Sequence, residues 1–360
     1  MVNQPPYTVV LIVPTGIGAA IGGYAGDALP VARAISQTCD RLITHPNVLN
    51  GAQLYWPLPN SFYVEGYGLD QFAVGNWGLR PVPQNRIGLI FDKAIEPELQ
   101  LRHLQAADAA RATLGLSVTN YIRTDKPLGV ELRTAPSGAS MGTISNPDSL
   151  LGAAEKLIKQ EDAEAIAVVA RFPDEVETVA LQNYRQGSGV DPLAGAEAVI
   201  SHLIVRTFKV PCAHAPALLP LPVDPTVSPR AAAEELGYTF LPCVLAGLSR
   251  APQYIIPQPG YINLPEDIWA EQVNAVVVPA TACGGSALLS LSNSSSRIII
   301  AVENNQTQMQ VDPEKVGIKA IRVNSYLEAL GILVAHRAGI DPGALNPSLS
   351  SLSSLSQTCD

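Results

Sequence analysis

Cys283 stands in the run Val-Val-Val-Pro-Ala-Thr-Ala-Cys-Gly-Gly-Ser-Ala, positions 277 to 288. An apolar strand is expected to stop at Pro279, with the thiol in the turn and Gly284 and Gly285 opening the next helix. Free amides at a helix start lower a thiol pKa and bind anions, which makes Cys283 a candidate nucleophile or acid–base group. The competing reading is an inert thiol packed as a small apolar side chain. Glu303, Asn304 and Asn305 end the next apolar run and belong on the same sheet edge. A carboxylate there suits a general base, and Asn304 suits an amide that orients a ligand.

Histidine is scarce, with five in the chain, and three of them fall in polar settings. His45, Asn47 and Asn50 lie in Thr-His-Pro-Asn-Val-Leu-Asn-Gly-Ala from Thr44. Imidazole titrates in the range useful to acid–base work, whereas the asparagines could simply hold a turn. In Gly-Val-Asp-Pro from Gly189, Asp191 reads as a helix N-cap with Pro192 at the first helical position. Glu197 and Ser201 then share a helix face, His202 follows, and His214 comes after Cys212. His202 and His214 beside a carboxylate suit proton transfer or support of a polar pocket. A metal-dependent hydrolase on Asp191, His202 and His214 is a rival, but the spacing fits no standard zinc signature. No metal ligand and no cofactor is predicted.

Two further turns follow apolar runs. Thr15, Gly16 and Gly18 lie in Pro-Thr-Gly-Ile-Gly-Ala-Ala-Ile-Gly-Gly from Pro14, and Ser137 and Gly138 follow Pro136. The first is similar to a dinucleotide-binding glycine loop with one residue too many before its third glycine. Backbone amides holding a phosphate or carboxylate suit it better, and close packing of a glycine turn is the plain alternative. Arg133 is the nearest cation for such an anion, or half of a structural ion pair.

These groups need a scaffold, and the chain alternates. Strands are expected at 8–13, 87–91, 117–122, 129–134, 165–170, 275–278 and 298–302, with helices at 27–37, 97–114, 149–160, 230–236 and 326–338. Val/Ile-rich strands that are apolar throughout predict an α/β fold of mainly parallel sheet with helices on both faces. Strand-end loops of such sheets form a ligand crevice, which would gather the three turns. The chain divides as 1–125 and 126–345, two lobes around a cleft or one domain, with a frayed tail at 346–360. The Pro- and aromatic-rich stretch 55–83 reads as an irregular loop, either a lid or a homo-oligomer interface.

The 360 residues are 47% apolar and 15% charged, which indicates a large buried core. A net charge of -9 without basic runs excludes a broad nucleic-acid footprint. Five cysteines without paired spacing suit a reducing compartment. The uncharged segment 8–26 holds Pro14 and five glycines, too broken for a membrane span. The expectation is a cytoplasmic protein with a small-molecule ligand, and no nucleic-acid or membrane partner.

The sequence resembles a family of unknown function found mainly in cyanobacteria and plastid-bearing eukaryotes. The resemblance is carried by Val-Pro-Thr-Gly-Ile-Gly-Ala from Val13, the segments from Thr44 and Gly189 above, and Ile-Ser-His at 200–202. Ala-His-Ala-Pro at 213–216, Thr-Phe-Leu-Pro-Cys from Thr239 and Val-Glu-Asn-Asn from Val302 complete it. It implies no activity. A slighter similarity is to aspartate/glutamate racemase-like enzymes, in which a cysteine follows a parallel strand in each lobe. Cys283 matches one such position, and the turn at Thr15 has no cysteine. The resulting expectation is a thiol-assisted lyase, isomerase or hydrolase for a small carboxylated or phosphorylated metabolite. A non-catalytic binding protein using the same pocket is the alternative.

Overall fold

Strand formation follows the runs of β-branched and aliphatic residues. In the computed structural model, which describes residues 5–49, 56–174, 179–220, 222–235, 240–349 and 351–352, the described strands are as follows. In chain order they are β1 (Thr8–Leu11), β2 (Arg41–Thr44), β3 (Ser61–Tyr63), β4 (Gly78–Arg80), β5 (Ile87–Phe91), β6 (Val118–Arg123) and β7 (Val130–Thr134). Then come β8 (Ser140–Ile144), β9 (Ala165–Arg171), β10 (Cys212–Ala217), β11 (Gln253–Ile255), β12 (Val273–Pro279), β13 (Ile298–Val302) and β14 (Ile321–Val323).

Six of them form a parallel sheet in the order β14-β13-β12-β1-β2-β3. Counted along the chain this is 3-2-1-4-5-6, the doubly wound order. Its direction reverses between β1 and β12, where loops at the carboxyl ends part and leave a crevice. A second parallel sheet runs β10-β9-β5-β6. The fold is α/β, as the alternation predicts. β1, β5, β9 and β12 are buried along nearly their whole length, which explains why their sequences are apolar rather than alternating.

Both sheets draw strands from either side of position 125, so a boundary placed there in sequence cuts through each of them. Parallel pairing is non-local: β1 lies beside β12, more than 250 residues away. The run 129–134 is also not part of a parallel sheet. It pairs antiparallel with β8 as a hairpin whose tip holds Ser137 and Gly138. The stretch 55–83 is ordered where it is described, with β3, the helix Gly66–Val74 and β4. Tyr63, Phe72 and Trp77 are buried in it, whereas Trp56 and Val74 stay exposed, so much of its apolar content is core.

The helix Ala194–Phe208 matters most for the site. Asp191 does not cap it directly but accepts from the Leu193 amide at 2.8 Å, just before the first turn. The helix lies against β8 at glycine contacts. A Cβ on Gly142 would sit 2.4 Å from that of Ala196, and one on Gly195 would sit 2.4 Å from Met141 Cα. Strand β10, inside a proline-rich stretch, is an edge strand, where Pro216 is tolerated because one side of the strand needs no ladder partner.

Candidate active site

A cavity of about 300 Å³ opens at the carboxyl edge of the six-stranded sheet. Residues following four adjacent strands line it: Ala282 and Gly285 after β12, Pro14 and Thr15 after β1, His45 and Asn47 after β2, and Glu65 and Asp70 after β3. The facing wall is Glu197, Ser201 and His202 of the helix Ala194–Phe208, His214 of β10, and Glu234. Apolar surface from Ile12, Leu69, Phe240, Val244 and Leu288 fills the gaps. Segments far apart in sequence thus share one hollow.

Glu65 is the N-cap of the helix Gly66–Val74. One carboxylate oxygen accepts from the Tyr67 amide at 2.8 Å and the Gly68 amide at 3.3 Å. The other meets His202 Nδ1. Capping therefore fixes the carboxylate, and the fixed carboxylate holds the imidazole. Burial alone would lower the His202 pKa, but the bond to Glu65 and the charges of Glu65 and Asp70 outweigh it and raise the value. Gly66 makes room for the ring, since a Cβ there would lie 2.9 Å from His202 Cε1.

His214 makes a second imidazole–carboxylate unit. Its Nδ1 is 2.7 Å from the Ser201 hydroxyl, and its Nε2 is 3.4 Å from Glu197. A carboxylate can only accept, so Nε2 carries the proton and Nδ1 accepts from the serine. Glu197 and Ser201 reach the same ring because they are four residues apart on one helix face.

His45 differs from both. The Val13 amide donates to its Nε2 at 2.9 Å, and burial pushes its pKa down to about 4, so it is a neutral acceptor tying β1 to β2. Asn47 donates to the Gly22 carbonyl at 2.7 Å and braces the glycine-rich loop. On the opposite wall burial pushes Glu234 up to about 7, despite bonds from the Tyr184 hydroxyl and the Ala25 amide. Burial, together with the charges of Glu234 and Glu197, also raises Asp191 well above the carboxylate range. These acids lack a cation. Among the described residues lining the cavity there is no lysine or arginine.

Several expectations need correction. Cys283 is fully buried, does not line the cavity, and lies 3.5 Å from the Ala280 carbonyl. Burial pushes its pKa up to about 12, the reverse of an activated thiol. The donors after Gly284 and Gly285 are partly taken within the chain. Asp70 accepts from the Ser286 hydroxyl at 2.8 Å and the Ala287 amide. Glu303 pairs with Arg322 outside the cavity, and Asn304 is exposed. Arg133 pairs with Glu131 on the exposed hairpin, whose tip residues Ser137 and Gly138 stay away from the cavity. Thr15 is the member of the first glycine turn that reaches it. Gly16 packs against Ala194 and Ser140, whereas Gly18 lines a separate groove with Thr281 and Gln308.

No helix starts at that glycine turn; the next one begins at Leu29, so the amide cradle of a dinucleotide loop is missing. Asn50 lies outside the described residues. Among the described residues no group of three His, Cys, Asp or Glu could hold a metal, which leaves the hydrolase built on Asp191, His202 and His214 without a ligand set. Sequence reasoning passed over Glu65, Asp70 and Glu234. Only Glu65 carried a signal, because Tyr63-Val64-Glu65-Gly66 repeats the strand–turn–glycine corner seen at Pro14.

Residues 8–346 match the model of a protein family of unknown function, DUF3326, and the chain belongs to that family. An uncharacterized lipoprotein of a Synechococcus strain is 62% identical over 340 residues, covering 94% of this chain and 93% of that protein. No solved structure matches the chain. The relative's name corrects the cytoplasmic expectation, since a lipoprotein is held at a membrane by its lipid. Among the described residues no helix is long and apolar enough to cross a membrane.

Proposed function

We propose that this member of a family of unknown function is an enzyme that moves protons on a small molecule bound in the cavity. The pair Glu65–His202 and the chain Ser201–His214–Glu197 would do the work. One observation carries the reading: two carboxylate-backed imidazoles open on one hollow of metabolite size.

The roles follow from the partners. His202, with its raised pKa, is the general acid: its Nδ1–H stays against Glu65, which keeps the ring charged, and the Nε2 proton passes to a basic ligand atom. His214 is the general base: a proton taken at Nδ1 leaves an imidazolium that Glu197 stabilises, while Ser201 turns its hydroxyl to a lone-pair contact. Cys283 takes no part. The reaction class is proton-transfer isomerisation, elimination or hydrolysis.

The test is isotopic. Purified protein is incubated with a library of small polar metabolites in D₂O or in H₂¹⁸O, and products are read by mass spectrometry. Turnover should place deuterium or ¹⁸O in one compound. Glu65→Gln and His214→Gln should each lower the rate by roughly 10²–10⁴-fold, the usual contribution of general acid–base groups. Incorporation that survives both substitutions would refute the assignment. Saturable binding without any incorporation would make the cavity a receptor site instead.

A further inference from the structure

We infer that the ligand of this cavity carries a positively charged amine, seated among Glu65, Asp70, Glu197 and Glu234. The inference relies on the preceding reading for the location of the site and not for its chemistry.

Charge comes first. The four carboxyl groups line one cavity with three imidazoles, and among the described lining residues no lysine or arginine answers them. His45 is neutral, and His202 is matched by Glu65. Glu197 and Glu234 therefore face the hollow without a full counter-charge. Burial first, and the neighbouring carboxylates second, make Glu234 and Asp191 hold a proton more readily than free carboxyl groups. An ammonium entering the cavity would supply the missing charge and meet several acceptors.

Donors for an anion are scarce on the same walls. At the start of the helix Ser286–Leu291 the Ser286 hydroxyl and the Ala287 amide already serve Asp70. The Val13 amide serves His45, and the Ala25 amide serves Glu234. A ligand carboxylate or phosphate would face four acids with few donors left, so the anionic metabolite expected from the sequence is the worst electrostatic match.

A buried hydroxyl lies close to two of these acids, behind the residues that line the cavity. Tyr63 is 2% exposed, its phenol has no hydrogen-bond partner among the described residues, and the charges of Glu65 and Glu197 act on it. The apolar wall of Leu69, Phe240, Val244 and Leu288 suits a hydrocarbon body behind the ammonium.

The experiment uses probes of one shape and three charges: benzylamine, benzyl alcohol and benzoate, with butylamine, butanol and butyrate as a smaller set. Each is titrated into the intact protein and followed by thermal shift and calorimetry. The expected result is saturable binding of an amine at least ten-fold tighter than its alcohol or carboxylate. Glu197→Gln and Glu234→Gln, with their fold checked by circular dichroism, should each weaken that amine five-fold or more. A carboxylate or alcohol that binds as tightly as its amine overturns the charge assignment while leaving the acid–base reading in place. Failure of both amines to bind up to 50 mM also overturns it. Amine binding that ignores both glutamine variants places the amine elsewhere and overturns the assignment too. Loss of isotope incorporation remains the separate test of proton transfer.

Discussion

A carboxylate fixed behind an imidazole sets both the ring's orientation and its charge, and here the motif occurs twice, each pair with one member on the helix Ala194–Phe208. Glu65 is anchored by two amides of its own helix, whereas Glu197 is anchored by its place on the helix that carries Ser201. Glu234 is the third acid, and its burial has a measurable cost. Its pKa rises from 4.5 unfolded to about 7 folded, so the native state holds a proton that the unfolded chain releases between those values. The sign is then fixed: this carboxyl penalises the fold increasingly as pH rises through that window, and not at all below it. Glu234→Gln should therefore gain stability relative to the parent on going from pH 4.5 to pH 8, by about 3 kcal/mol. Urea midpoints at the two pH values measure this, and parallel pH dependence of parent and variant would contradict it. Cys283 gives a second residue-scale test. Because the thiol is buried and its pKa is raised, iodoacetamide at pH 8 should leave it unmodified in the native protein and label it in urea.

At the scale of elements, the site depends on how closely the helix Ala194–Phe208 approaches β8. Gly142 and Gly195 permit a backbone-to-side-chain contact that no larger residue fits. Gly142→Val should cost about 1–3 kcal/mol by overpacking and should move Glu197, Ser201 and His202 together. Chemical unfolding checks the first effect, and loss of amine binding in variant protein that remains folded checks the second.

This scale also shows what the sequence reveals. The helix Pro97–Leu114 and the strands β5 and β13 are legible to the residue, because a long polar–apolar pattern and unbroken β-branched runs each suit one local structure. β3 and the helix Gly66–Val74 are hidden by aromatic residues and glycines that resemble a loop until their partners are known. Of the site, His45, Glu197, His202 and His214 are legible as polar residues in otherwise apolar surroundings. Asp70 is not, because its role depends on meeting Ser286, 216 positions away. Cys283 misleads for the same reason: a glycine-flanked turn predicts free amides, and another helix supplies the acid that takes one of them.

At the scale of the molecule, both parallel sheets are assembled from distant segments, and the cavity lies where the doubly wound order reverses beside the second sheet's edge strand. A chain folded this way should open as a unit at its centre. Hydrogen exchange should give the amides of β1 and β12 one common opening free energy, equal to that of global unfolding. Opening of β12 to β14 well below β1 to β3 would show two separable bodies instead.

The most direct measurement is a crystal structure of the protein after incubation with the compound that takes up solvent isotope, or with the tightest amine probe. The expected density lies between His202 and Glu197, within hydrogen-bonding distance of an imidazole nitrogen. Density beside Cys283, or in the groove lined by Gln308 with the cavity holding only water, would contradict the proposed site.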